Sequence, residues 1–333
     1  MKKIINNPDQ FVDEMVEGIL LAHPDQVRTP GDDRRVLVRA DSPAPGRVGI
    51  VTGGGSGHLP LFKGYVGKGL CSGVAIGNVF SSPSVQQCAD AAKAVDGGAG
   101  VLFLYGNYGG DVFNFDLAVD LLELDGIETR TVLGCDDVAS QPKERAKDRR
   151  GVAGIFFAYK AAGAAAERGD SLDEVAAVAQ KVVDNTATMG VGLSPTILPT
   201  TGAASFDLPE GEMEIGIGIH GEPGIHRGPL GTADEIADQI LDSVIPDLGL
   251  GEGDRVAVLV NGLGATPLEE LYLLYRRTHQ RLEELGVVIE RRYIGEYATS
   301  LEMAGASISL LKVDDELLEL LDAPAQSPFF REV

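Results

Sequence analysis

The sequence predicts an α/β fold arranged as two domains. Three observations carry this expectation. Short apolar runs end in glycine-rich loops bearing polar residues. Amphipathic segments with helix-capping signals alternate with those runs. The length, 333 residues, is long for one core and comfortable for two. The 43 glycines and the absence of Trp suit many tight strand–helix turns.

In chain order, "NPDQFVDEMVEGILLAH" predicts a helix with Asn7 as N-cap and Pro8 at the first helical position, burying Phe11, Met15 and Ile19. "VGIVT" (48–52) and "VLFLY" (101–105) read as buried strands that empty into "GGGSGH" and "GNYGGD". "SLDEVAAVAQKVVD" (171–184) is an amphipathic helix, followed by a Thr-, Pro- and Gly-rich stretch over 184–212. That composition shift places one α/β domain at residues 1–184 and a second at 185–333, whose folded part begins near 210. "EIGIGI" (214–219) and "VAVLV" (256–260) are the next strands, leading into "HGEPG" and "NGLGAT". Between them Thr232 and Glu235 form a capping box for a helix burying Ile236, Ile240 and Val244. Thr266 and Glu269 predict another box, with Pro267 in the first turn and Gly286 closing the helix.

Composition excludes several classes. A formal net charge of −22 repels phosphate backbones and anionic membranes, so nucleic acid and membrane partners are not expected. The N-terminus has no apolar signal core, and no apolar run approaches the ~20 residues of a membrane helix. Cys71, Cys88 and Cys135 form no metal-ligand spacing and read as reduced thiols of a cytoplasmic protein. No metal site is expected.

Three loops could carry chemistry. "TGGGSGHLP" (52–60) lacks the Lys and Ser/Thr of a P-loop, and its His58 breaks both the dinucleotide and the hydrolase-elbow patterns. It is either a tight strand–helix turn or a place where a ligand meets backbone N–H groups beside a histidine fit for acid–base work. In "YGNYGGDVFNFD" (105–116), Asp111 is either a helix cap or a general base at a strand end. In "GIGIHGEPGIHRG" (216–228), the six-residue spacing of His220 and His226 and the Pro-Gly turn exclude a helical metal pair. His220 is left as a structural, solvated or reactive imidazole.

"GGGSGHLP", "NYGGD", "GIHGEPG", "NGLGATPLEELY" and "TSLEMAGASISLLKVDDELLELLDAP" occur in that order. With them the sequence resembles the dihydroxyacetone kinase family, specifically its substrate-binding K subunit, from the first residues to "DAPAQSP". The resemblance implies a two-domain α/β subunit that binds a short ketose covalently, as a hemiaminal on Nε2 of His220. It implies that Asp111 takes the proton of the terminal hydroxyl attacking phosphorus and that His58 assists hemiaminal chemistry. Gly53, Gly54, Gly55, Ser56 and Gly57, with Gly106, are the implied substrate contacts, and His226 stays a structural loop residue. ATP or ADP with Mg²⁺ is implied on a separate L subunit, rephosphorylated in some versions by a phosphotransferase-system phosphocarrier. A homodimer is also implied.

The resemblance is to subunits from which this chain departs in several places, among them a segment skipped before "GDRVAVLVN" that longer relatives carry. Leu59 replaces a Glu, "AIGNVF" (75–80) replaces "CPGEIF", and Gly106 replaces a Lys. Lost charge and smaller side chains around an intact reactive trio imply altered selectivity, with a tetrose such as erythrulose as the alternative substrate. The alternative of another class is a ketose-sensing regulator, for which an imidazole suffices and Asp111 is unnecessary. A metal-dependent hydrolase has only the two-histidine loop behind it.

Overall fold

The computed structural model describes residues 2–333. Its first half is a six-stranded sheet made of β1 (Val27–Arg28), β2 (Val36–Arg39), β3 (Gly49–Ser56), β4 (Gly73–Val79), β5 (Val101–Gly106) and β6 (Thr129–Gly134). The order is β1-β2-β4-β3-β5-β6, with β4, β3, β5 and β6 parallel. The parallel strands are nearly continuous apolar runs because both faces are covered. Helices α2 (Val85–Val95) and α3 (Gly109–Leu124) cover one face, closing a core that includes Val51, Phe103 and Phe115. Before this sheet comes α1 (Phe11–Ala22).

Helices α4 (Ile155–Arg168) and α5 (Leu172–Asp184) cover the other face. The second sheet comprises β7 (Thr186–Ser194), β8 (Glu212–Ile215), β9 (His226–Pro229), β10 (Arg255–Gly262), β11 (Val288–Gly295) and β12 (Ala304–Lys312), ordered β11-β10-β12-β7-β8-β9. Only β10 and β11 run parallel. Helices α6 (Ala233–Leu248) and α7 (Leu268–Glu284) cover its outer face. Its inner face, with Ala257, Leu259 and Leu311, joins the same core as α4.

Helix α4 is therefore central, and every residue from Ile155 to Ala166 is buried. Gly163 is required there: a Cβ would stand 2.4 Å from the Gly69 carbonyl. Lys160 is also fully buried, and its ammonium donates to Leu320 O (3.2 Å) and to Ala323 O at the end of α8 (Asp315–Asp322). The chain finishes in a small hairpin, β13 (Ala325–Gln326) and β14 (Arg331–Glu332). This hairpin ties back to the first half, where Gln326 N donates to Lys68 O and Ser327 Oγ donates to Gly64 O.

Several local expectations change. Strand β3 runs through Gly53–Ser56, all buried, so the glycine run is strand before it is loop. Glycine is needed because Phe62 packs where a Gly54 Cβ would stand, and Phe80 does the same at Gly57. The "EIGIGI" run leaves the strand at Ile215, because Gly216 adopts φ +80°. The Thr-rich stretch after Asp184 contributes β7, a central strand. The Thr232–Glu235 box forms, but Thr266 instead donates to Gly305 O and accepts from Gly305 N, leaving Pro267 as the N-cap of α7. Asn7 caps a short 3-10 turn before α1, whose buried stripe is Val12, Val16 and Ile19 while Phe11 and Met15 are partly covered.

Candidate active site

The two sheets bring the flagged histidines together. His58 follows β3; His220 sits in the turn after β8. Their Nε2 atoms are 3.1 Å apart. His58 is fully buried, with Nδ1 2.8 Å from the Thr299 carbonyl. Nδ1 of His220 is 2.9 Å from Glu222 Oε1, and its backbone N–H donates to Glu222 Oε2 at 2.9 Å.

Those partners fix the tautomers. A carbonyl and a carboxylate only accept, so both Nδ1 atoms carry protons. Each neutral ring then turns an Nε2 lone pair toward the other, and a hydrogen bond at 3.1 Å needs one proton between them. Burial, the His220 ring and the Lys63 charge all push the His58 pKa well down. Burial opposes ionisation of Glu222, yet its hydrogen bonds to His220 hold the carboxyl down to about 2. A proton shared between the rings would be balanced by the ionised Glu222 on Nδ1 of His220.

Asp111 lies three residues into α3, whose N-cap is Tyr108; it is not the cap. Burial lifts its pKa to about 6, offset by a Ser82 hydrogen bond and by His220. Its Oδ1 is buried without a partner. A carboxyl poised near neutrality, with one oxygen free, can accept a proton from a bound hydroxyl.

Residues that sequence reasoning did not single out hold the centre. Phe80 stacks on His58 (5.0 Å, 17°) and meets His220 edge-on, as does Tyr108 (4.9 Å). Arg150 donates to Asp137 at 2.8 Å and stands 3.9 Å from Glu222. Asn261, in the quoted "NGLGAT", is buried with its amide fully used: Nδ2 donates to Ala298 O and Ser307 Oγ, and Oδ1 accepts from Tyr297 N and Ala298 N. It fixes the segment that presents the Thr299 carbonyl to His58. Glu222 was legible as part of "HGEPG"; the others depend on long-range packing.

The glycine run touches protein where its side chains would be. Gly53 faces Ala75 O and Phe115, Gly55 faces Ser81 N, and Ser56 Oγ donates to Gly77 O. Gly57 reaches partial exposure, and Gly106 ends β5 beneath Tyr108. His226 is exposed on the edge strand β9, away from the paired imidazoles. Among the described residues no three His, Cys, Asp or Glu side chains cluster to hold a metal, and no helix is long and apolar enough to cross a membrane.

Fold and site together define a two-sheet α/β protein built around a paired-imidazole centre with an adjacent carboxyl. Residues 17–329 match the Dak1 domain, and the chain belongs to that family, the K-subunit type of dihydroxyacetone kinase. It is 46% identical over 331 residues to a PTS-dependent dihydroxyacetone kinase dihydroxyacetone-binding subunit of Listeria innocua, with 99% of both chains covered. It is 43% identical to the L-erythrulose 1-kinase of Mycolicibacterium smegmatis, covering 99% of this chain but 58% of that longer one. The structure matches the dihydroxyacetone kinase of C. freundii with TM-score 0.91 and 30% identity, over 99% of this chain and 60% of that one. That kinase has also been solved with AMP-PNP and Mg²⁺. A dihydroxyacetone kinase operon co-activator matches with TM-score 0.87 and 32% identity, over 94% and 96% of the two chains.

Proposed function

We propose that this chain is the ketose-binding subunit of a dihydroxyacetone-type kinase, holding its substrate covalently on His220. The observation that carries the reading is the 3.1 Å approach of the Nε2 atoms of His58 and His220, with Glu222 on Nδ1 of His220. As Nε2 of His220 bonds to the carbonyl carbon, the C=O π pair moves to oxygen, and that oxygen takes the shared proton. His58 is left neutral. His220 becomes an N-substituted imidazolium whose Nδ1–H stays on Glu222. No proton or electron is left over, and a polyol without a carbonyl cannot form the bond.

Asp111 then accepts the proton of the terminal hydroxyl as that oxygen attacks phosphorus. The chain's own acidity disfavours holding a nucleotide. The donor, ATP or ADP with Mg²⁺, is carried by a separate L-type subunit, which supplies the cations that neutralise the transferring phosphoryl group. Backbone at Gly57 and Gly106 lines the ketose position, and the protein works in the cytoplasm as a homodimer. The substrate is dihydroxyacetone. The erythrulose reading is favoured by Leu59 and Gly106, which replace charged residues with smaller or neutral ones. The sensor reading fits the paired imidazoles equally, but leaves the raised Asp111 without a task.

The test is intact-mass and crystallographic analysis after incubation with dihydroxyacetone or either erythrulose enantiomer. The expected result is an adduct on His220, lost in His220→Ala, with turnover only when an L-type subunit and Mg-ATP are added. A His220→Ala protein that binds the ketone equally tightly, or turnover without a partner, overturns the reading.

A further inference from the structure

A cavity of about 470 Å³ opens on the reverse side of the loop that carries His58. That volume is within the range of small-molecule sites. Phe11, Met15, Leu59 and Leu301 supply apolar walls, and Gly57 and Thr299, which hold His58, form its floor. Into this apolar space comes one buried cation. Lys63 is 3% exposed, and its ammonium has no hydrogen bond or ion pair among the described residues. Leaving an amine unpaired in such surroundings is costly, and burial, with Arg35 adding to it, lowers its pKa to about 8. The other charged groups here are the exposed Lys2 and Glu296, and Lys3, which is already paired with Glu302.

We propose that this cavity is a second ligand site, taking a small amphiphilic monocarboxylate whose head pairs with Lys63 and whose hydrocarbon body lies among Phe11, Met15, Leu59 and Leu301. One ammonium balances one negative charge. A phosphate dianion would add an uncompensated charge to a chain already at −22. The site also reaches the catalytic centre, because the Lys63 charge is one of the influences that keep His58 from protonating. A carboxylate on Lys63 cancels that influence and makes His58 more basic.

The binding claim does not depend on the proposed activity, and its test reads binding directly. Calorimetric titration of the full chain with octanoate at pH 7 is expected to show one site per chain. Affinity should fall at least ~10-fold in Lys63→Met, fall as pH rises past about 8, and be absent in Leu59→Glu, whose own carboxylate takes the lysine. Octanol, with the same body and no charge, should bind at least ~10-fold more weakly than octanoate. Lys63→Met removes a buried amine that has no hydrogen bond or ion pair among the described residues and is expected to melt no lower than the parent, so loss of binding is separable from loss of fold. The His58 imidazole titration followed by NMR should move upward with octanoate. No octanoate binding at millimolar concentration, or equal binding by Lys63→Met or by octanol, overturns the site; an unmoved His58 titration overturns the link to the centre.

Discussion

Asp111 and Glu222 are two carboxyls of one centre with opposite displacements. Glu222 is held ionised by the imidazole above it, whereas Asp111 is pushed toward neutrality by burial. The sign at Asp111 has a consequence for stability. Its folded pKa, about 6, lies above the ~4 of an unfolded aspartate, so the native state holds the proton more tightly. That contribution is present below pH ~4 and is lost as pH rises through 6. Asp111→Asn should therefore melt no lower than the parent at pH 8, gaining up to ~3 kcal/mol. With an L-type partner it should keep the ketose adduct while kcat falls ~10²–10⁴-fold. Unchanged kcat would remove Asp111 from proton transfer. By spacing alone Asp111 reads first as a helix cap and second as a general base; the structure places it in the first turn, where Gly109 and Gly110 start the helix ahead of it. No local spacing could separate these readings, since a cap and a buried base occupy neighbouring positions in the same loop.

At the scale of elements, α4 decides how the two sheets meet. Its run "AYKAAGAAA" lacks the polar face that a surface helix needs. The structure explains the composition by burial on all sides, and explains Lys160 within it as the terminator of α8. Gly163→Ala adds a methyl group at 2.4 Å from the Gly69 backbone, which cannot retreat as a flexible side chain would. The expected cost is about 3 kcal/mol, read by denaturant melting; a midpoint equal to the parent's would show that the contact yields. The Thr232–Glu235 box was legible because a cap involves residues three apart. The Thr266 box failed because that hydroxyl found Gly305, 39 positions away in sequence.

Over the whole molecule, the chain crosses between its halves more than once. The last segment returns from the second sheet to the first, with Ser327 on Gly64 and Gln326 on Lys68. Removing residues 323–333 deletes these bonds and takes the Ala323 carbonyl from the buried Lys160. A loss of at least ~3 kcal/mol is expected by chemical denaturation, from several hydrogen bonds and one buried cation left under-satisfied. An unchanged melt would mean that the hairpin is peripheral.

Local chemistry in the sequence was enough to establish the α/β class and the placement of His58 just past a strand, because periodicity and glycine runs are written in neighbouring residues. Tertiary structure alone decided that two histidines 162 positions apart meet Nε2 to Nε2, that Asn261 and Thr299 fix one of them, and that Lys63 is buried behind the loop without a hydrogen bond or ion pair among the described residues. Each depends on two sheets packing through one helix, and distances of about 3 Å across such an interface have no signature in linear spacing.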